Sequence, residues 1–301
     1  MEQTGNEPPQ TRPRSTSFAL RGSARLAFEA VAVDDSSAAL EIATGVTVVG
    51  LHDLLGDRSM LGFLREALGR RGHRLLLPEA RGHGASAAVG TLRYPMAELV
   101  ADVAAVLDAT GTERANLIGH GLGGAVALAF ALRHPERVGT LVLIEPTLPA
   151  MLGDDPAPAS RWVARSRRED MRAAATAAAK GQTEQALDRL LAPTYGEDWR
   201  DRFPRPRLAA MRRHATALGS LLGTLADYEP TSAELAAINA PTLILRGTSG
   251  PPLVGLMAER LASLVPSARL ETIENGNGPL DLADPETGRA LATAVLDALS
   301  N

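Results

Sequence analysis

The chain of 301 residues contains no cysteine. This absence excludes disulfide bonds, thiolate metal ligands and a cysteine nucleophile. Long apolar runs are also missing, and none approaches the roughly 20 residues that a membrane-spanning helix requires. Lysine is nearly absent, with Lys180 as the single example among 31 basic residues. Together with abundant alanine, glycine and proline, this bias is typical of a GC-rich bacterial genome and carries no functional information.

An excess of positive charge is lacking as well. The net charge of −4 at pH 7 argues against a general nucleic-acid-binding protein. Residues 1–17 are polar and proline-rich and lack the apolar stretch of a secretory signal, so we expect a disordered tail on a cytoplasmic protein. The histidines are scattered, and no two of them stand at the spacing, together with carboxylates, that metal ligands have. No dinucleotide fingerprint is present either. Neither a metal nor a cofactor is therefore expected.

Hydrophobic periodicity predicts an α/β fold. Short apolar runs such as "VTVVGL" (46–51) read as buried strands, and they alternate with amphipathic helical patterns up to residue 146 and again from residue 239. Such alternation predicts a mainly parallel sheet with helices on both faces. Residues 147–238 carry only helical patterns. The predicted organisation is a core of residues 18–146 and 239–301 with a helical lid inserted at 147–238.

Six segments appear in a characteristic order along this core. They are "VVGLHDLLG", "RGHRLLLPEARGHGAS", "LIGHGLGG", "LVLIEP", "PTLILRGTSGPPLV" and "IENGNGPLDLADPE". Together they resemble the landmarks of the α/β-hydrolase fold, and the resemblance covers roughly residues 18–300. It implies that "LIGHGLGG" is the turn carrying the nucleophile, and that strand-end backbone N–H groups form an oxyanion hole.

The family's chemistry needs a serine, a histidine and a carboxylate, and the resemblance implies that all three are replaced here. Gly121 stands at the nucleophile position, Gly250 at the position of the acid and Asn277 at the position of the histidine. The last histidine of the chain is His214, which lies inside the predicted lid. We therefore expect that the protein does not hydrolyse substrates with a serine triad.

Several polar residues are still expected at the carboxyl ends of the strands, where the family's active site lies. The candidates for acid or base catalysis are Asp53, His120 and Glu145. Each has a structural alternative, namely a capping role for Asp53, a hydrogen-bonded buried ring for His120 and bonds to loop amides for Glu145. The candidates for the oxyanion hole or ligand binding are His52, Leu54, Gly121, Leu122 and Asn277.

The predicted lid holds most of the few aromatic residues. Trp162, Tyr195, Trp199 and Tyr228 are expected either to line an apolar pocket or to fasten the lid to the core. The lid is also rich in arginine, which suits an acidic ligand or an acidic carrier protein. Acidic residues are interleaved with these arginines, however, and that pattern favours a solvated face with ion pairs.

Two hypotheses follow for the function. The favoured one is a non-hydrolytic enzyme, of cyclase, lyase or rearrangement type, acting on a small apolar and polyketide-like molecule in bacterial specialised metabolism. The alternative is a non-catalytic pseudoenzyme that binds a small molecule or a partner protein. The expected partners are a small apolar molecule and either a carrier protein or a second copy of the chain, with neither nucleic acid nor membrane.

Overall fold

The computed structural model describes residues 16–31, 46–69, 71–86, 94–275 and 278–300. Within these ranges the core is an eight-stranded sheet of order β1-β2-β4-β3-β5-β6-β7-β8. The strands are β1 Ser17–Arg21, β2 Ala24–Val31, β3 Thr47–Leu51, β4 Arg74–Pro78, β5 Ala115–His120, β6 Val138–Ile144, β7 Thr242–Gly247 and β8 Ala268–Ile273. The pairings of β2 with β1 and with β4 are antiparallel, and all the others are parallel.

Helices cover both faces of this sheet. They are α1 Phe63–Gly69, α2 Met96–Ala109, α3 Leu122–Arg133, α4 Pro158–Ala179, α5 Thr183–Tyr195, α6 Arg205–His214, α7 Leu218–Asp227, α8 Ser232–Ala236, α9 Pro252–Leu264 and α10 Pro285–Ser300. Every residue of β5 is buried. Leu117 and Ile118, which are adjacent in this strand, belong to two different hydrophobic clusters. Side chains alternate across a strand, so a continuous apolar run supplies both faces. The predicted α/β-hydrolase fold is confirmed.

The first strand begins at the end of the predicted tail, and the predicted domain bounds stay predictions. Residues 16 and 17 are ordered, and Ser17 already pairs with Phe28 in the hairpin of β1 and β2, while residues 1–15 lie outside the described part. Between β6 and β7 the chain forms α4 to α8, which we call the insert (residues 147–238). That the insert acts as a lid stays a prediction. No helix within the described ranges is long and apolar enough to cross a membrane.

A stack of three buried histidine rings joins the insert to the sheet. His52 follows β3, His83 follows β4 and His214 ends α6, and the centroid distances are 5.2 Å from His52 to His83 and 5.1 Å from His83 to His214. The His214 Nε2 accepts a hydrogen bond from the Gly84 N–H at 3.3 Å. An accepting ring nitrogen must be unprotonated, so this geometry requires a neutral ring.

The other two rings are also held by backbone groups. The Nδ1 of His52 donates to the Asp53 carbonyl at 2.8 Å, and its Nε2 accepts the Ala80 N–H at 3.0 Å. The Nδ1 of His83 lies 3.0 Å from the Arg81 carbonyl and donates to it. Burial lowers the pKa of all three histidines, and that of His83 to about 3. The attachment of the insert therefore depends on uncharged histidines.

This stack predicts acid sensitivity. The unfolded His83 binds a proton below its ordinary pKa of 6.5 whereas the folded residue does not until about 3, so the free energy of unfolding falls as the pH drops through that window. We expect this residue to remove about 2 kcal/mol between about pH 7 and about pH 5. Urea unfolding of wild type and His83→Phe at both pH values measures the difference.

Comparison with a variant is needed because buried carboxyls with raised pKa values, such as Glu79 and Glu145, act with the opposite sign. The control is His134→Gln, which changes a histidine outside the stack and should keep the wild-type pH dependence. An equal loss of stability in wild type and His83→Phe would contradict the role of the stack.

Candidate active-site cavity

The turn between β5 and α3 is built for close approach of backbones. Gly121 occupies it with φ 52° and ψ −111°, a backbone conformation that is strained for residues other than glycine. A Cβ at Gly119 would overlap the Gly123 backbone, and one at Gly123 would overlap the Leu51 carbonyl. The glycines of "GHGLGG" therefore let the turn pack directly onto the end of β3.

The carboxylate of Asp53 lies over this turn. Its Oδ1 accepts the Leu122 N–H at 2.7 Å. Leu122 is the first residue of α3, and a helix N-terminus stabilises a negative charge. A Cβ at Gly121 would overlap the Asp53 carboxylate, so this carboxylate occupies the space of a side chain at position 121. The bond also corrects the expectation of a free oxyanion hole, because the Leu122 N–H already has an anionic partner.

Glu145 follows β6 and has the unusual φ of 43° for a residue with a side chain. Its Oε1 accepts the Gly247 N–H and its Oε2 accepts the Leu280 N–H, both at 3.1 Å. Burial nevertheless raises the pKa of Glu145. The glutamate thus connects the ends of β6 and β7 with the loop before α10, which is the structural alternative considered for it. A Cβ at Gly250 would lie 3.5 Å from its Oε1.

His120 ends β5 and is only 7% exposed. Its Nδ1 is buried and has no hydrogen-bond partner among the described residues. The expected alternative of a hydrogen-bonded structural histidine is therefore not what the described part of the chain shows. A buried polar nitrogen without a partner is costly, and such groups are found where a site binds or transfers protons.

One cavity of about 290 Å³ brings the three candidates together. Asp53, His120 and Glu145 all line it, from the carboxyl ends of β3, β5 and β6. Its opposite wall comes from one face of α4 and from α9. The apolar lining includes Val163, Leu253, Val254 and Met257. The arrangement is a mostly apolar chamber that contains a few polar and titratable groups, as is usual for small-molecule sites.

Of the predicted aromatic lining, only Trp162 faces this cavity, and it is 70% exposed. The prediction that Trp199 lines the pocket is wrong, because Trp199 is buried inside the insert and its Nε1 donates to Asp188 at 2.9 Å. Tyr228 packs against the main core, where burial raises its pKa to about 12. Tyr195 packs edge-on against Phe203 at 5.1 Å, beside the cavity rather than in its lining.

The remaining predicted ligand-binding residues are placed as follows. His52 belongs to the histidine stack and does not line the cavity. The side chain of Leu54 is half-buried and packs against the core. Asn277 lies outside the described residues, so its assignment stays a prediction.

The arginines of the lid are expected on a solvated face with ion pairs, and Arg167 of α4 is an exception. It lines the cavity, and its Nη1 donates to the Leu190 carbonyl at 2.8 Å. Burial lowers its pKa. Neighbouring arginines do form the expected surface ion pairs, as Arg165 does with Glu169 and Arg172 with Asp227. The missed signal was spacing, because residues 162, 163, 166, 167 and 170 fall on one face of a helix.

Comparisons with known proteins agree with this fold. The α/β hydrolase fold family matches residues 48–278, and the chain belongs to this family. It is 29% identical over 265 residues to rhodomycin D methylesterase DauP of Streptomyces sp. (strain C5), covering 80% of this chain and 86% of that protein. It is 46% identical to a carbamate hydrolase, RutD, of Variovorax paradoxus (strain S110), but over 84 residues, 28% of this chain and 30% of that protein.

Solved structures extend the likeness over nearly the whole chain. A hydrolase from Pseudomonas aeruginosa PA01 has a TM-score of 0.67 and 26% identity, covering 95% of this chain and 98% of its own. An esterase from Thermogutta terrifontis has a TM-score of 0.72 at 21% identity, with coverages of 96% and 98%. These relatives are named as hydrolases, and the second likeness shows the fold alone.

The overlap at position 121 predicts an energetic coupling. Gly121→Ser should lower the free energy of unfolding by about 1–3 kcal/mol, because it strains the turn and displaces the Asp53 carboxylate. Adding Asp53→Gly should recover part of this loss, with a coupling energy of about 0.5–3 kcal/mol. Chemical denaturation of the two single variants and the double variant measures the cycle.

The control is Gly250→Ser, whose Cβ would make only an ordinary contact with Glu145. It should change the stability by about 0.5 kcal/mol or less. Strictly additive effects of Gly121→Ser and Asp53→Gly would show that the two positions do not compete for space.

Proposed function

We propose that this protein is a non-hydrolytic acid–base catalyst acting on a small, largely apolar molecule. The observation that carries the proposal is the Asp53 carboxylate on the Leu122 N–H, in the space of the side chain that Gly121 lacks. A carboxylate there opposes the formation of a second negative oxygen, and it supplies a proton acceptor in the same place. Position 121 offers no nucleophile to form an acyl intermediate.

The lining of the cavity supports proton transfer. The Asp53 Oδ1 is held by Leu122, and no hydrogen bond to its Oδ2 is found among the described residues. His120 adds an imidazole ring to the same cavity, with a buried Nδ1 that has no hydrogen-bond partner among the described residues. Glu145 is tied by both oxygens to backbone N–H groups, so we assign it a positioning role. When a proton is removed from one atom of the substrate and returned to another, the substrate can isomerise, cyclise or lose a leaving group without net hydrolysis.

The apolar wall formed by α4 and α9 supports a largely apolar substrate, and we keep a polyketide-like molecule as the proposed class. The relatives' names point to ester and carbamate hydrolysis, so an activated ester tests the proposal directly. With 4-nitrophenyl acetate we expect release of 4-nitrophenol no faster than in buffer. Saturable turnover that disappears in Asp53→Asn would contradict a non-hydrolytic function, because it would place ester cleavage in this cavity.

A second candidate function is ligand binding without catalysis. The observation that favours it is that backbone donors hold both carboxylates, with Leu122 bonded to the Oδ1 of Asp53 and with Gly247 and Leu280 bonded to the two oxygens of Glu145. Groups so held can be structural, which leaves a cavity that recognises shape. The partners expected from the sequence, a carrier protein or a second copy of the chain, belong equally to both candidates.

Native mass spectrometry of the purified protein, followed by small-molecule extraction, separates the two functions. For a catalyst we expect a compound from the host extract to be returned as an isomer or with loss of one water. Asp53→Asn keeps an oxygen for the Leu122 N–H and removes the base, so conversion should fall by roughly 10²–10⁴-fold. The affinity should stay within a few-fold.

The matched control is Asp108→Asn, an exposed position at the end of α2, which should convert the compound at the wild-type rate. A compound that is bound and returned unchanged by the wild type would favour the binder. Conversion unaffected by Asp53→Asn would remove Asp53 from the mechanism.

A further inference from the structure

The cavity contains a cation whose partners are incomplete. Arg167 lines it from α4, and its one hydrogen bond goes to the neutral Leu190 carbonyl. Among the described residues, no carboxylate lies within ion-pair distance of its guanidinium. Burying a charge costs free energy unless it is paired, and a guanidinium has further N–H donors to offer. Arg167 is therefore a group that a ligand would complete.

The charges around the cavity limit what that ligand can be. Asp53 and Asp170 also line it, and both interact electrostatically with Arg167. Burial favours the neutral form of Glu145. A ligand that arrives as an anion would add to an existing excess of carboxylate, whereas a neutral ligand would not. The substrate should therefore enter uncharged.

A negative oxygen formed during the reaction needs a partner, and the usual one is occupied. The Leu122 N–H at the start of α3 already binds Asp53. Arg167 is the only arginine or lysine among the described residues that line this cavity. A guanidinium in a partly dry site stabilises a developing oxyanion more strongly than it would in water.

We infer that Arg167 stabilises an oxyanion that forms on the substrate, and that the substrate is an enolisable ketone or a phenol with an apolar body. This inference rests on the proposed function of Asp53 as a base. The C–H or O–H bond of the substrate breaks, the proton passes to the Asp53 carboxylate, and the electron pair stays on the substrate as an enolate or phenolate. The total charge is unchanged, since it moves from Asp53 to the substrate oxygen. Return of the proton to another substrate atom closes the cycle without an oxidant or reductant.

The test uses 4-nitrophenol, whose ionised form is coloured, and 4-nitroanisole as a probe of the same shape that cannot ionise. The apparent pKa of the bound 4-nitrophenol is read from its absorbance in the presence of excess protein. Arg167→Gln keeps a donor for the Leu190 carbonyl and removes the charge. We expect the bound pKa to be higher in this variant than in the wild type by about 1 unit or more. The affinity for 4-nitroanisole should change less than about twofold, because no charge is involved.

The matched control is Arg165→Gln, on the same helix, where the side chain is 82% exposed and pairs with Glu169. It should leave the bound pKa at the wild-type value. Arg167→Lys keeps the charge and should lie nearer the wild type. Arg167→Met also removes the charge, and it replaces the glutamine variant should the latter unfold. Equal bound pKa values in wild type and Arg167→Gln would overturn the inference. So would a failure of both probes to bind at millimolar concentration.

These outcomes are separable from those of the proposed function. The probe assay involves no turnover, so an effect of Arg167 on the bound pKa, together with conversion that is unchanged in Asp53→Asn, would remove Asp53 from the mechanism and leave an oxyanion-binding cavity. That result would also overturn the proton transfer to Asp53. If Arg167→Gln left the bound pKa unchanged while conversion still depended on Asp53, only the role of Arg167 would be refuted.

Discussion

The bond between the Asp53 carboxylate and the Leu122 N–H is the interaction on which the rest of the site depends. The bond can form because Gly121 has no side chain. A side chain at position 121 would overlap the Asp53 carboxylate, since the same volume cannot hold both groups. The helix N-terminus, which in a serine hydrolase stabilises a transient oxyanion, here binds the side chain of Asp53. The glycine at position 121 and the carboxylate of Asp53 are thus two parts of one packing arrangement.

This exchange redistributes charge around the cavity. The sheet contributes Asp53, His120 and Glu145 at its carboxyl edge, while α4 of the insert contributes Arg167 from the other side. Burial raises the pKa of Glu145, which favours its neutral form. Burial also lowers the pKa of Arg167, because the charged guanidinium costs free energy there. Among the described residues that line the cavity, the insert thus supplies the one arginine. Its attachment through the neutral rings of His52, His83 and His214 keeps that charge in place.

Membership of the α/β hydrolase fold family fixes the scaffold and leaves the reaction open. The relatives are named for cleaving esters and carbamates, chemistry that needs a nucleophile and a vacant oxyanion hole. The described site has a glycine at the turn and an anion on the first amide of α3. The proposed function therefore moves a proton within a substrate and adds no water to it.

The sequence by itself determined the sheet, the helices and the strand ends, because side-chain periodicity and glycine spacing are local properties. It therefore located Asp53, His120 and Glu145 at one edge, and it excluded a histidine after His214. Only the tertiary structure decided that Asp53 reaches Leu122, 69 residues away, that Trp199 is buried inside the insert and that Arg167 faces the cavity. Helical spacing shows which residues share a face of α4, but the packing of α4 against the sheet selects the face that meets the site.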